Sequence, residues 1–292
     1  MENYDIPCVI VHRGLKPYLK FNLEITSKNN KVFLIGDESV SNLASINDNV
    51  EFINIEEYET RKRIVNFKKN FVNYNTQPQE IEWMNFERVF IIYDFIIEKT
   101  YKQIFHLDSD NVLLKNINDF KFDNKNAYCI PSFQENYRMD SSIHCGLLDE
   151  KFFIEFENLY SDLYITKNKF HLIEKKINYH KQNNIRGGIT DMTLYFLLQK
   201  LEKINPQNLM KPFKSKNGEE FVFVNNFNLA EGFYDFNNFE MKGNFVIISF
   251  KFRILLLLAL FLSSLFAIPL QAQQGLLLLE KGSAKVIGPK RT

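Results

Sequence analysis

Short apolar segments alternate with a helical pattern at the start of the chain. Strands are predicted at residues 6–11, 31–37 and 50–55, and a helix is predicted at residues 18–28, between the first two strands. A strand, a helix and a second strand within so short a stretch are typical of a parallel sheet whose crossover helices cover its faces. We therefore predict an α/β fold, with a Rossmann-like, mostly parallel sheet flanked by helices.

The same alternation continues along the chain. A helix is predicted at residues 80–99, a strand at 103–107 and a further strand at 127–131. Helices are predicted at residues 152–164 and 191–203, where apolar residues recur at helical spacing.

Polar residues and a glycine follow two of the predicted strands. His12, Arg13 and Gly14 come at the end of the first strand, and Asp37 ends the second. In parallel sheets, ligands bind beyond the carboxyl ends of the strands, so we expect these residues to bind a ligand. Ordinary loop residues at strand ends would show the same pattern.

Two carboxylates, Asp108 and Asp110, come directly after the apolar strand 103–107. Like charges this close repel, and burial adds to the cost unless a divalent cation lies between them. Carboxylate oxygens suit Mg²⁺ or Mn²⁺, which keep positions open for phosphate oxygens. The alternative is a polar turn that only leads into the next segment. An EF-hand calcium loop is excluded, because its fifth and sixth positions are Val112 and Leu113 here.

A second polar segment contains Gly187 and Gly188, followed by Thr190 and Asp191. Two glycines let the backbone approach a ligand closely. Thr190 is predicted to cap a helix whose first turn holds Asp191. Taken alone, Asp191 is equally consistent with a carboxylate that only complements the helix dipole.

The Phe-His-Leu-Asp-Ser-Asp segment that ends at Asp110 resembles the DxD element of A-type glycosyltransferases, and is most similar to that of bacterial enzymes that build surface polysaccharides. The resemblance covers roughly residues 5–240. It implies that a nucleotide-diphosphate sugar is the donor and a carbohydrate the acceptor. It also implies that Asp108 and Asp110 hold Mn²⁺ or Mg²⁺, with Ser109 at the donor.

The resemblance also assigns roles to the second polar segment. It places Gly187 and Gly188 in the binding cleft, and it makes Asp191 the general base or the group that orients the acceptor hydroxyl. The remaining residues predicted to bind the donor are His12, Arg13, Gly14 and Asp37. A-type enzymes commonly take a third metal ligand, often His, from near the C-terminus, and no His follows His180 here.

Two other functions remain open. A strand followed by Asp-x-Asp-x-Val also resembles the first motif of haloacid-dehalogenase-type phosphatases, whose first Asp is a nucleophile. Against this, two or three strands precede Asp108, and no Gly-Asp-x-x-x-Asp follows it. The non-enzymatic alternative is an inactive, membrane-tethered binder of sugar nucleotides.

The composition changes abruptly near residue 250. We assign residues 1–245 to the glycosyltransferase domain and residues 251–292 to a hydrophobic tail without Asn, Asp or Tyr. No charged residue occurs from Ile254 to Leu279, which is long enough to cross a bilayer. A membrane anchor, a buried helix of the main domain and a junction with an unrelated reading frame all remain open.

Charge and cysteine content narrow the class of protein further. The 36 lysines and arginines nearly balance the 35 aspartates and glutamates, so no basic face for a nucleic acid is expected. Cys8, Cys129 and Cys145 lack the spacing of a zinc knuckle or redox motif and are predicted to be reduced, buried thiols.

His144 is predicted to be a loop residue. The predicted location is the cytoplasm, with attachment to the inner face of the plasma membrane if the tail is an anchor.

Overall fold

The structure is a computed structural model that describes residues 5–131, 134, 137–211, 213–218 and 220–223, with the short segments 229–230, 233–234, 244–245 and 247–249. The tail at residues 251–292 lies outside the described residues, so the division into a domain and a tail stays a prediction. Among the described helices, none combines the length and the apolar composition needed to cross a membrane.

The strands are β1 (Cys8–His12), β2 (Val32–Gly36), β3 (Val50–Asn54), β4 (Gln103–Leu107), β5 (Asn111–Leu113), β6 (Ala127–Cys129), β7 (Ser142–Asp149), β8 (Gln207–Asn208), β9 (Phe213–Lys214), β10 (Glu220–Val222), β11 (Leu229–Ala230), β12 (Phe233–Tyr234), β13 (Asn244–Phe245) and β14 (Ile247–Ser249). The α-helices are α1 (Pro17–Thr26), α2 (Glu56–Glu59), α3 (Lys62–Asn70), α4 (Gln79–Glu98), α5 (Glu150–Tyr160), α6 (His171–Gln182) and α7 (Asp191–Lys200).

The main sheet has seven strands in the order β3-β2-β1-β4-β7-β6-β8. β1 is parallel to both of its neighbours, β2 and β4, and β2 is parallel to β3. β7 is antiparallel to β4 and β6, whereas β6 and β8 are parallel. The predicted α/β fold, with a mostly parallel sheet flanked by helices, is confirmed.

Two hydrophobic clusters pack against opposite faces of this sheet. Successive side chains of a strand point to opposite faces, so Val9 joins the cluster that includes α4, while Cys8 and Ile10 join the cluster that includes α1. All five residues of β2 are buried, as expected for a strand covered on both faces. Helices therefore lie on both sides of the sheet, and the carboxyl ends of its parallel strands remain at one edge.

The structure differs from the sequence-based prediction at β7. The prediction of a loop position for His144 is wrong, since this residue lies within β7. His144 and Gly146 interrupt the apolar pattern of the strand, which is instead stabilised by pairing with β4 and β6 on its two sides. The helix predicted at residues 152–164 ends as an α-helix at Tyr160 and continues as a π-helical turn, Ser161–Ile165.

Candidate active site

The carboxyl ends of β1, β2 and β4 lie side by side at one edge of the sheet, because β1 pairs with both of the other strands. The loops that follow β1 and β2 are joined directly, since the Gly14 amide donates a hydrogen bond to Asp37 Oδ2 at 2.6 Å. Asp108 follows the last residue of β4. The fold therefore brings three of the predicted polar segments to one place.

A cleft of about 200 Å³ opens between this edge and α4. Five of the predicted residues line it: His12, Arg13, Asp108, Ser109 and Asp110. Tyr18 of α1 and Asn85, Glu87 and Arg88 of α4 are the other polar residues of the lining. Both carboxylates of the DxD element therefore contact the same cleft.

The loop that carries the two carboxylates is held by three neighbouring elements. The Asp108 amide donates to the His144 carbonyl of β7 at 2.8 Å, and the Asn111 amide donates to the Asp108 carbonyl at 2.9 Å. The Asn22 side chain of α1 donates to the Ser109 carbonyl at 2.8 Å. These hydrogen bonds hold the backbone of the loop in place. The side chains of Asp108 and Asp110 therefore extend from a fixed backbone.

Asp108 is ionised in this environment. Burial alone would raise the pKa of its carboxyl, but the Arg88 guanidinium, whose Nη1 lies 2.5 Å from Asp108 Oδ1, outweighs burial and holds this pKa well below its ordinary value. His106 Nε2 lies 3.3 Å from the same oxygen, without the alignment of a hydrogen bond. His106 Nδ1 lies 3.1 Å from the Val9 carbonyl oxygen, and burial lowers the pKa of His106.

Asp191 lies behind Arg88 rather than in the cleft. Its Oδ2 accepts hydrogen bonds from Arg88 Nη2 at 2.8 Å and from the Tyr195 hydroxyl at 2.9 Å, and its Oδ1 accepts one from the Met192 amide at 2.9 Å. The side chain is 4% exposed. Arg88 thus bridges Asp108 and Asp191, and both oxygens of the predicted general base are already engaged.

Arg13 lines the cleft, but its charge is shared with two glutamates. Its Nη2 atom lies 2.8 Å from Glu59 Oε1 and 3.0 Å from Glu87 Oε2. Lys68 Nζ also approaches Glu87, at 3.2 Å. Glu87 is almost fully buried, so its charge is stabilised by these two cationic partners.

His12 and Asp37 have different surroundings. His12 lines the cleft, its Nε2 is buried without a hydrogen-bond partner among the described residues, and burial lowers its pKa. Asp37 does not line the cleft. It accepts hydrogen bonds from the amides of Gly14 and Ser39 and from the Ser39 hydroxyl, and these bonds outweigh the effect of burial and lower the pKa of its carboxyl. Asp37 therefore supports the loop that presents His12.

Gly187 and Gly188 lie against another loop of the protein and do not line the cleft. A β-bridge joins Gly188 to Asn75, and the Gly187 amide donates to Thr76 Oγ1 at 2.8 Å. At Gly188, φ is +141°, and an added Cβ would lie 2.1 Å from the Tyr74 carbonyl oxygen. The close approach that was predicted for a ligand is therefore made by the protein's own backbone. A role for the two glycines in binding stays a prediction.

Sequence reasoning missed Arg88 and Glu87. Both lie on α4, which was interpreted as an amphipathic helix packed on the sheet, yet Glu82, Glu87 and Asp94 of this helix are buried along with its apolar residues. Buried charges require partners of opposite sign. The sequence does show charged residues scattered through a helix that is otherwise largely apolar, which indicates that some of these charges are buried. This pattern does not identify the residues with which they pair.

No protein-family model matches the chain, and no curated protein matches it. Solved structures with a similar fold include mouse xyloside xylosyltransferase 1 in its apo form, with 11% identity and a TM-score of 0.48, over 69% of this chain and 84% of that one. They also include the PaToxG glycosyltransferase (12% identity, TM-score 0.40, 68% and 70% covered) and an active-site mutant of LgtC (15%, 0.37, 65% and 69%). At these identities and TM-scores the likenesses say nothing about the reaction of this chain. The three structures named here are glycosyltransferases, and the likeness concerns the fold alone.

Proposed function

We propose that the protein is a metal-dependent glycosyltransferase that moves a sugar from a nucleotide-diphosphate sugar to a carbohydrate acceptor. The observation that carries the proposal is the position of Asp108 and Asp110, which line one cleft at the carboxyl edge of the parallel strands. The resemblance of the DxD element to that of bacterial enzymes supports a surface polysaccharide as the acceptor.

The charge balance of the cleft supports a requirement for a cation. Among the described residues, Arg13 and Lys68 pair with Glu59 and Glu87, and Arg88 pairs with Asp108 and Asp191. Each of these cationic groups therefore already faces two carboxylates, and Asp110 adds a further carboxylate to the lining of the cleft. A donor diphosphate would add further negative charge, and both arginines are already paired, so an added divalent cation is needed to make binding favourable.

The residues of the cleft fit such a cation. Asp108 and Asp110 offer hard oxygen ligands of the kind that Mn²⁺ and Mg²⁺ prefer. Arg88 and His106 both approach Asp108 at Oδ1, and we assign its Oδ2 to the cation. When bound, the cation offsets the negative charge that develops on the leaving diphosphate.

The geometry supports a changed role for Asp191. A general base needs an oxygen that faces the acceptor hydroxyl, whereas both oxygens of Asp191 accept hydrogen bonds from Arg88, Tyr195 and Met192. We propose that Asp191 positions Arg88 and that Arg88 keeps Asp108 ionised and correctly oriented.

The proposal is tested by measuring nucleoside diphosphate released from a panel of nucleotide-diphosphate sugars by the full-length chain, with Mn²⁺, with Mg²⁺ and with a chelator. We expect one class of donor to be cleaved, and only with a metal present. Asp110→Asn should lower this rate at least about 100-fold, because loss of a direct ligand costs at least as much as loss of an outer partner.

The matched control is Asp48→Asn, an exposed residue that precedes β3 at the opposite edge of the sheet. It should leave the rate unchanged. Donor cleavage that persists in the chelator, or in Asp110→Asn, would contradict the proposal. Hydrolysis of simple phosphate esters instead of donors would favour the phosphatase alternative.

A further inference from the structure

Three potential metal ligands meet beneath the loop that carries Asp108. Cys129 is the last residue of β6, and His144 and Cys145 lie on the neighbouring strand β7. Cys129 Sγ lies 3.6 Å from Cys145 Sγ and 3.8 Å from His144 Nε2, and all three ligand atoms lie within 4.8 Å of one another. The two thiols are buried and the imidazole is partly exposed.

These separations agree with the geometry of a tetrahedral metal centre. With metal–sulfur bonds of about 2.3 Å and metal–nitrogen bonds of about 2.0 Å, two sulfurs are about 3.8 Å apart and a sulfur and a nitrogen about 3.5 Å apart. The two distances from Cys129 Sγ differ from these values by about 0.2 and about 0.3 Å. The third distance, between the ligand atoms of His144 and Cys145, is within 4.8 Å, so movements of these side chains would complete the site.

The orientation of His144 also agrees with metal binding. Its Nδ1 lies 2.8 Å from Ser142 Oγ, while its Nε2 faces Cys129. With Nδ1 as the hydrogen-bond donor, Nε2 carries the lone pair that a metal requires. A metal-binding imidazole usually donates its other nitrogen to an outer partner in this way, which fixes its tautomer and its direction.

We propose that Cys129, His144 and Cys145 bind a thiophilic cation, with Zn²⁺ as the most common candidate, in a three-ligand site that leaves a fourth position open. Two sulfurs and one imidazole nitrogen select a softer metal than the carboxylates of Asp108 and Asp110 do. The site is therefore separate from the proposed catalytic cation, and it does not depend on the proposed function.

Metal binding here would also stabilise the loop of the DxD element. The His144 carbonyl accepts hydrogen bonds from the Asp108 amide at 2.8 Å and from the Asn111 side chain at 3.0 Å. A metal bonded to His144 fixes the strand that carries this carbonyl. The site thus joins β6 to β7 at the point where β7 supports the loop.

The test is a titration of the reduced full-length chain with Co²⁺, followed through the near-ultraviolet charge-transfer band that forms only when thiolates bind cobalt. We expect the band to saturate at one equivalent of thiolate-bound Co²⁺ and to disappear when Zn²⁺ displaces it. Cys129→Ala and Cys145→Ala should each weaken binding at least about 100-fold. Cys8→Ala is the matched control, because Cys8 is equally buried but lies on β1, with β4 between it and β7. It should keep the band, as should Asp110→Asn.

Thermal unfolding of each variant shows whether a lost band reflects a lost ligand or a lost fold. X-ray absorption of the zinc-loaded wild-type chain needs no variant, and we expect two sulfur ligands at about 2.3 Å and nitrogen or oxygen ligands at about 2.0 Å. Absence of the band in the wild-type chain, a band that survives in Cys129→Ala, or a zinc shell without sulfur would each overturn the proposal.

Discussion

The Arg88 guanidinium lies between two carboxylates, with Asp108 Oδ1 at 2.5 Å and Asp191 Oδ2 at 2.8 Å. Burial alone would lower the pKa of Arg88, but the charges of Asp108 and Asp191 outweigh it and raise this pKa. Arg88 therefore stays charged between the two carboxylates. Arg88 Nε is buried and has no hydrogen-bond partner among the described residues. The ion pairs that Nη1 and Nη2 form with the two carboxylates therefore compensate for the burial of this side chain.

Arg88→Met should reduce the free energy of unfolding by about 3–5 kcal/mol, because it leaves the buried carboxylate of Asp191 and the partly buried carboxylate of Asp108 without their cation. Arg61→Met is the control, since Arg61 and its partner Glu98 are 32% and 41% exposed and such a pair contributes at most about 1 kcal/mol. Urea denaturation of both variants measures the difference. Equal losses of unfolding free energy in the two variants would show that the Arg88 ion pairs stabilise the fold no more than an exposed ion pair does.

Glu82 is a second buried acid near the same site. It is 2% exposed, one of its carboxylate oxygens has no hydrogen-bond partner among the described residues, and burial together with the charge of Asp191 raises its pKa to about 7. The folded state therefore favours the protonated form. Stability that depends on this proton is present at acidic pH and is lost as the pH rises through 7.

Glu82→Gln should remove this pH dependence. Relative to the variant, the wild-type chain should lose on the order of 2 kcal/mol of unfolding free energy between pH 5 and pH 8, from a shift of this size. Glu80→Gln, an exposed position in the same helix, serves as the control and should show no such change. The measurement is urea denaturation across this pH range. A parallel pH dependence for wild type and Glu82→Gln would rule the explanation out.

At the scale of secondary-structure elements, two contacts between loops and strands define the site. The β7 backbone supports the loop after β4, and the glycine turn before α7 packs on the loop before α4. The second contact holds the start of α7, and with it Asp191, at a fixed distance from α4 and Arg88. Gly188 makes this approach possible, since a Cβ there would overlap the Tyr74 carbonyl.

Gly188→Ala should reduce the free energy of unfolding by about 3 kcal/mol or more, through backbone strain and the overlap with Tyr74. Gly218 also has a positive φ, of +82°, but an added Cβ would meet no atom within 4 Å. Gly218→Ala should therefore cost only about 1 kcal/mol. Thermal or urea unfolding of the two variants compares them, and similar losses would show that crowding at Gly188 is unimportant.

At the scale of the whole molecule, the strand order β2-β1-β4-β7 brings distant segments to one edge. The end of the described chain returns to this region as well, because β14 pairs with β5 through Ile247–Leu113, Ile248–Val112 and Ser249–Asn111. β5 directly follows the DxD element, so residues close to the hydrophobic tail contribute backbone pairing to the site.

Two shortened chains test this contribution. A chain that ends at residue 250 keeps β14 and is the reference for stability. A chain that ends at residue 246 keeps β13 but lacks β14, and it should lose about 1–2 kcal/mol of unfolding free energy relative to that reference, with the backbone hydrogen bonds. Equal stability of the two shortened chains would show that the pairing of β14 contributes little.

The sequence by itself determined the local elements and the chemistry at the ends of strands. β4 has the predicted bounds, and α7 begins at the predicted residue, because short-range apolar periodicity specifies both. The Asp pair after β4 was likewise visible, since a carboxylate pair at the end of an apolar strand is a local feature. Its position at a common edge with His12 followed from the parallel strands.

Only the tertiary structure decided which distant groups meet. Arg88 is 20 residues from Asp108 and 103 residues from Asp191 along the chain, and Cys129 is 15 residues from His144. The antiparallel insertion of β7 between β4 and β6 places the cysteines and His144 together. No local pattern specifies such pairs, because the free energy that selects them comes from burying the helices and strands against one another.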